Sequence, residues 1–296
     1  MSDRYAVVGN PVAHSLSPTI HAAFAQQTGQ DLDYGRLLSP MDGFAATVRD
    51  FAAAGGLGCN VTVPFKFEVP SLARRCSPRV MLAGSANTLS LAGEDWSADN
   101  TDGLGLVADI EQHAGLALRG TTVLLLGAGG ASAGVLGPIL QARPRRVVVL
   151  NRTEPRAVEL VQRHSAWAQE HGVELRAGGL EAARVLCGAG CEVLINGTAS
   201  SLEGEAVPVD GAALRPQALA LDMMYGPKAQ AFLDWAAAHG AVPRDGLGML
   251  VEQAAEAFFL WRGVRPQTRP VLQALRQAAG PAAAPGVAAD HTRSGG

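Results

Sequence analysis

Lysine is nearly absent from this chain. Of 24 basic residues in 296, only Lys66 and Lys228 are lysines, and arginine fills every other basic position. An amine can give up its proton near neutral pH and a guanidinium effectively cannot, so a lysine kept against such a bias is a candidate proton donor, with chance survival as the alternative. Aromatic residues are also scarce, at 5% against 48% hydrophobic residues. That balance suits an Ala-, Leu- and Val-rich α/β protein of one large or two ordinary domains. Excess charge is missing: the net charge of −3 offers no nucleic-acid surface. No apolar run approaches the length of a bilayer span, and the first residues do not read as a signal segment. The four cysteines, Cys59, Cys76, Cys187 and Cys191, form no CxxC pair and have no accompanying histidine pair. No metal is expected, and reduced thiols are. These absences together predict a soluble, cytoplasmic protein.

What is present centres on residues 121–153. Thr121 to Leu126 is an apolar run short enough for a buried parallel strand. The turn Gly127-Ala128-Gly129-Gly130-Ala131 follows, then a predicted helix from Ser132 to Leu140 and a second strand from Arg146 to Leu150. A βαβ unit with a glycine-rich first turn is the pattern of a dinucleotide site. Glycines let backbone N–H groups approach a pyrophosphate, and the helix N-terminus presents the positive end of its dipole. Ser132 stands where that pattern usually has a third Gly or Ala. The tip of the second strand distinguishes the cofactor. An acidic residue there would hold a ribose 2′-hydroxyl; Asn151-Arg152-Thr153 suits a 2′-phosphate and predicts NADP rather than NAD. A plain structural turn with a surface arginine is the bland alternative.

Along the chain, Tyr5 to Gly9 reads as a strand. Ser17-Pro18 reads as a helix start, with Ser17 as N-cap, Pro18 in the first turn and Gly29 past the end. Capping accounts for Ser17 but leaves Ser15 unexplained; two hydroxyls at a helix N-terminus also suit a carboxylate. Asp33 to Leu37 reads as a strand, Met41 to Ala54 as a helix and Cys59 to Val63 as a strand closed by Pro64. Lys66 thus falls just beyond a strand end, where open α/β sheets place ligands. Asn100-Thr101-Asp102-Gly103 opens a helix running to about His113. Asp102 is either its cap or, as a catalytic group, should face Lys66. Strand and helix then alternate in the manner of a doubly wound sheet. Gly246-Leu247-Gly248 precedes a helix whose apolar stripe carries Gln253, an amide that needs a partner there. Residues from Gly280 onward read as a disordered tail.

The ordered set His14-Ser15-Leu16-Ser17-Pro18, Asn60-Val61-Thr62-Val63-Pro64-Phe65-Lys66, Ala86-Asn87-Thr88, Asn100-Thr101-Asp102-Gly103, Asn151-Arg152-Thr153 and Gly246-Leu247-Gly248-Met249-Leu250 resembles shikimate dehydrogenase over residues 4 to 279. The resemblance implies an α/β protein of two domains. A substrate domain would take residues 1–103 and regain 240–279; a Rossmann-type doubly wound NADP-binding domain would take 104–239. It implies NADPH-dependent reduction of 3-dehydroshikimate to shikimate, a CH–OH oxidoreduction on the way to aromatic amino acids. Ser15 and Ser17 would hold the substrate carboxylate. Thr62, Asn87, Asp102, Tyr225 and Gln253 would bind its hydroxyls and ring, and Lys66 with Asp102 would carry the proton chemistry. Gly127, Ala128, Gly129, Gly130, Ala131, Asn151, Arg152 and Thr153 would hold NADP, with Met223 and Gly246 near its nicotinamide. Beyond the small-molecule substrate, no nucleic acid or membrane partner is implied, and a monomer or homodimer is expected. After Tyr225 the family often has Asn-Pro and a later threonine; Gly226-Pro227 and Gln230 stand here. Three rivals remain: a quinate or dual quinate/shikimate dehydrogenase, a two-domain folate dehydrogenase, and a non-catalytic NADP(H)-sensing regulator.

Overall fold

A computed structural model describes residues 2–198 and 209–278. The tail expected from Gly280 lies outside the described residues. Two six-stranded sheets organise the rest. The first has the order β2-β1-β3-β5-β6-β4, from β1 (Asp3–Gly9), β2 (Leu32–Leu38), β3 (Gly56–Val61), β4 (Arg75–Cys76), β5 (Thr88–Ser90) and β6 (Ser97–Asp99). It is mixed: β1 pairs parallel with β2 and β3, whereas β5 runs antiparallel to β3 and β6. Around it lie α1 (Ser17–Thr28), α2 (Phe44–Ala53) and the short α3 (Pro78–Ala83).

The second sheet comprises β7 (Thr122–Leu126), β8 (Arg146–Leu150), β9 (Glu174–Gly178), β10 (Cys191–Asn196), β11 (Leu214–Asp222) and β12 (Val242–Arg244). Every pairing in it is parallel, in the order β12-β11-β10-β7-β8-β9. The strand sequence reverses direction between β7 and β10, the switch point of a doubly wound sheet, outside whose carboxyl ends ligands bind. Helices cover both faces, so the strands read as unbroken apolar runs. Val123 and Leu125 join one core cluster, and Leu124 and Leu126 join another on the opposite face. Because β12 extends this sheet, the return of the chain to the first unit comes after Arg244, not at residue 240.

Helix α4 (Asp102–Ala108), continued by a π-helical turn to His113, lies between the two sheets. It packs on α5 (Gly130–Gln141) on one side and on α9 (Leu247–Arg262) on the other. Contact with α9 needs Gly105: a Cβ there would stand 2.6 Å from the Gln253 backbone nitrogen. Together with α10 (Thr268–Ala278), α9 returns to the first unit, where Val251, Ala254, Phe258 and Val271 bury Ile20 and Phe24 of α1. No helix among the described residues is long and apolar enough to cross a membrane.

Three local expectations need correction. Helix α1 starts at Ser17 itself, with Leu16 in the cap position and no side-chain cap. The Ser15 hydroxyl instead donates to the Ser17 hydroxyl at 3.1 Å. Helix α2 starts at Phe44 rather than Met41, because Met41 to Gly43 form a turn closed by the Gly43 N–H on the Pro40 carbonyl at 3.1 Å. Strand β3 stops at Val61. Beyond the Thr62 N–H, which donates to Val8 O at 2.9 Å, the chain turns into a 3-10 helix spanning Phe65–Phe67. That turn places Lys66.

Candidate active site

Lys66 and Asp102, 36 positions apart, meet. Lys66 Nζ donates to Asp102 Oδ2 at 2.5 Å, with side-chain exposures of 14% and 5%. The capping role left open for Asp102 is not what is seen: Thr101 takes the cap position and Asp102 is the first helical residue, its carboxylate turned to the lysine. The other lysine, Lys228, is exposed. A close buried pair orients the amine while leaving it a sliver of surface through which to reach a ligand.

Asn87 anchors this pair. Its Nδ2 lies 2.9 Å from Asp102 Oδ1, 2.9 Å from Thr101 Oγ1 and 3.1 Å from Gln253 Oε1, and its Oδ1 accepts the Thr101 N–H at 2.8 Å. The partner demanded by Gln253 is therefore Asn87, and Gln253 Nε2 donates to Leu250 O at 2.9 Å. Below this layer Asn60 Nδ2 donates to Thr88 Oγ1 at 3.2 Å, and the Tyr34 hydroxyl donates to Asn60 Oδ1 at 2.7 Å. Buried amides and hydroxyls with their partners in place form a rigid floor, since any member left unpaired there would be costly. Asn60, Thr101 and Tyr34 were not singled out from the sequence. Asn60 and Thr101 stand inside the quoted motifs, which was the available signal; Tyr34 had none.

At the edge of this floor, Ser15 is half-buried and Ser17 is buried. Tyr225, also half-buried, packs in the same cluster as Leu16; burial pushes its phenol up, against the opposing pull of the Leu16 backbone and of the Arg36 charge. Thr62, half-buried, follows β3 directly.

The glycine turn lies against the Lys66 segment through Phe67. Gly127 has φ +96°, and a Cβ there would stand 2.9 Å from Gly197 O, so the turns after β7 and β10 touch. Gly129 caps α5, whose first residues are Gly130 and Ala131. The Phe67 ring, next to Lys66, lies 3.2 Å from where a Gly130 Cβ would be. Ala128 is half-buried beside the turn, and Ser132 is fully buried, its hydroxyl 2.5 Å from where a Gly197 Cβ would be. Met223 donates its N–H to Asn196 O at 3.0 Å, and the Gly246 N–H donates to Met224 O at 2.8 Å, which brings both beside the same turn. At the tip of β8, Asn151 Nδ2 donates to Thr153 O at 2.9 Å, and Arg152 and Thr153 are exposed. Open backbone donors at the start of a 12-residue helix, with an exposed guanidinium on the neighbouring strand tip, fit a phosphorylated dinucleotide. No cluster of metal-binding side chains occurs among the described residues.

Residues 7–89 match the shikimate dehydrogenase substrate binding domain, 109–199 the shikimate / quinate 5-dehydrogenase family and 246–276 the shikimate 5'-dehydrogenase C-terminal domain. A shikimate dehydrogenase (NADP(+)) of Methylibium petroleiphilum is 61% identical over 280 residues, 93% of this chain and 94% of its own. The chain belongs to the shikimate dehydrogenase family. Among solved structures, an Ael1 enzyme from Pseudomonas putida has a TM-score of 0.83 at 43% identity, covering 93% of this chain and 98% of that one. The Thermus thermophilus shikimate 5-dehydrogenase in complex with NADP(H) and shikimate has a TM-score of 0.78 at 32% identity, covering 93% and 99%.

Proposed function

We propose that this shikimate dehydrogenase family member interconverts 3-dehydroshikimate and shikimate with NADP(H), a step toward aromatic amino acids. The observation that carries the reading is the Lys66–Asp102 pair, 2.5 Å apart, with Phe67, the residue after the lysine, lying against Gly130 of the glycine turn. In this reading Lys66 and Asp102 are catalytic. Ser15 and Ser17 receive the substrate carboxylate, and Thr62, Asn87, Asp102, Tyr225 and Gln253 bind its ring and hydroxyls. Gly127 to Ala131 hold the pyrophosphate, Asn151, Arg152 and Thr153 the 2′-phosphate, and Met223 and Gly246 flank the nicotinamide.

The nicotinamide, when bound, supplies or takes up the hydride at the substrate's C3. Everything else is done by side chains. Lys66 Nζ gives its proton to the C3 oxygen as negative charge gathers there, and takes it back in the reverse direction. Asp102 aims the amine through Oδ2, and Asn87 fixes Asp102 through Oδ1. The order of the floor matters because donors already in place need not reorganise as charge moves.

The unit containing residues 1–103 and the helices after Arg244 would recognise the substrate, and the intervening sheet the cofactor. A cytoplasmic enzyme working as monomer or homodimer is consistent with this small-molecule chemistry. The test is a spectrophotometric assay of NADP reduction by shikimate. Turnover is expected. Tight NADP binding without turnover would favour a non-catalytic sensor, and a higher kcat/KM for quinate than for shikimate would favour a quinate dehydrogenase.

A further inference from the structure

The proposed carboxylate site has a charge problem. Ser15, Ser17 and the start of α1 offer only neutral dipoles. The nearby charges of Lys66 and Asp102 largely cancel each other at 2.5 Å. A carboxylate leaving water for this corner needs a positive group that is not already spent.

Arg36 is placed to be that group. It lies on β2, two residues after Tyr34, and so projects to the same face as the tyrosine that holds Asn60. Its Nε and Nη2 donate to the Ser15 carbonyl at 3.2 and 2.7 Å. This grip holds the guanidinium against the loop that carries the Ser15 hydroxyl. Its charge is also felt at Tyr225, which packs in the same cluster as Leu16 of that loop. Arg36 takes part in none of the ion pairs among the described residues, and its Nη1 makes no hydrogen bond among them. Three N–H groups, two on Nη1 and one on Nη2, and a full positive charge are left uncommitted beside the two serines and the tyrosine.

We propose that Arg36 is the charge partner of the substrate carboxylate and the residue by which this site prefers an anionic substrate over a neutral one of the same shape. The inference rests on the reading that Ser15 and Ser17 receive that carboxylate. Arg36 does no chemistry; it sets the potential at the carboxylate.

The experiment compares wild type, Arg36→Gln and Arg36→Lys on shikimate and on its methyl ester at saturating NADP. For Arg36→Gln, the KM for shikimate should rise about tenfold, as expected for losing one charge several ångströms away in a partly solvated site, with kcat changed less than about twofold. The ester should be used by wild type and Arg36→Gln with similar KM. The fall of kcat/KM for shikimate with added salt should be shallower in Arg36→Gln than in wild type. Arg36→Lys keeps the charge, should stay within about threefold of wild type, and serves alone if the Gln variant does not fold. An unchanged KM in Arg36→Gln, an equal rise for acid and ester, or a Lys variant that binds the acid no better than it binds the ester would each overturn the assignment, the last two by reducing Arg36 to a loop brace. A wild type that fails to oxidise shikimate would instead overturn the functional reading beneath it.

Discussion

In the second sheet, Val123 to Leu126 send apolar side chains into two cores, whereas in the first sheet β3 and β5 carry Asn60 and Thr88 into the interior. The contrast extends along the chain. Ser17, His21, Ser39, Asn60, Ser85, Asn87, Thr88, Asn100, Thr101 and Asp102 are all buried polar groups of the first hundred or so residues. A sheet covered on both faces by helices can be uniformly apolar, because its ligand sits beyond the strand ends on backbone donors. A surface that must grip a small polyhydroxy acid needs side-chain donors and acceptors, and has to bury them in pairs. In the proposed reading one half of the molecule lends mainly its backbone, the other its side chains.

The sharpest way to break that division is Lys66→Ala. It should lower kcat at least about a hundredfold, the lower range for losing a positioned acid–base group, while NADP still binds. Steady-state kinetics with a cofactor titration checks both; joint loss would mean the two halves do not divide the labour. Lys66→Arg should be nearly as poor, since it keeps the charge without a transferable proton.

Next in size is Gly105→Ala, which strikes where the halves join. With no room for a Cβ between α4 and α9, the helices must separate. A loss of about 1–3 kcal/mol is expected by denaturant titration, together with lower activity, because Asp102 and Gln253 ride on those two helices. Arg152→Ala tests the backbone-lending half. The KM for NADPH should rise about tenfold and that for NADH little, the difference being a charge-assisted contact to the 2′-phosphate. An equal effect on both cofactors would remove that contact from the account.

The smallest effect compares two histidines. His21, stacked on Tyr34 at 4.1 Å in the first unit, is held down to about 3 by burial, and His164 in the second unit is held down to about 4 for the same reason. Both lie below the ordinary 6.5, so an unfolded chain takes up those protons first. Stability is therefore full above that ordinary value and falls as pH drops toward the folded values. His21→Phe should make the fall shallower by about 1 kcal/mol near pH 5.5, read as Tm against pH by circular dichroism. A slope identical to that of wild type would show that His21 does not stay neutral in the fold.

Legibility follows the same division. β8 is found where its apolar run predicted it, at Arg146–Leu150, and the glycine turn, α6 (Glu154–Glu170) and the Asn151-Arg152-Thr153 tip follow local pattern closely. Strands β4, β6 and β12, of two or three residues, carry no periodicity long enough to read, and they exist because neighbours pair with them. Ser17 looked like a cap because Ser-Pro is a helix-start pattern; the cap position falls one residue earlier, at Leu16, and Ser15 Oγ accepts the Ser17 N–H at 3.3 Å.

Local order along the chain was enough to read a parallel sheet with a glycine-rich turn suited to phosphate, a strand tip without a carboxylate, and two lysines among 24 basic residues, because each is a matter of adjacent residues, their periodicity or composition. Only the tertiary structure decided that Asn87 would join Asp102 to Gln253, that Asp102 would turn to Lys66 rather than cap its helix, and that Arg36 would reach Ser15 with charge to spare. Those are meetings of segments tens to more than a hundred residues apart, and the energy that sets them comes from burying polar groups in pairs, which no stretch of sequence can do alone.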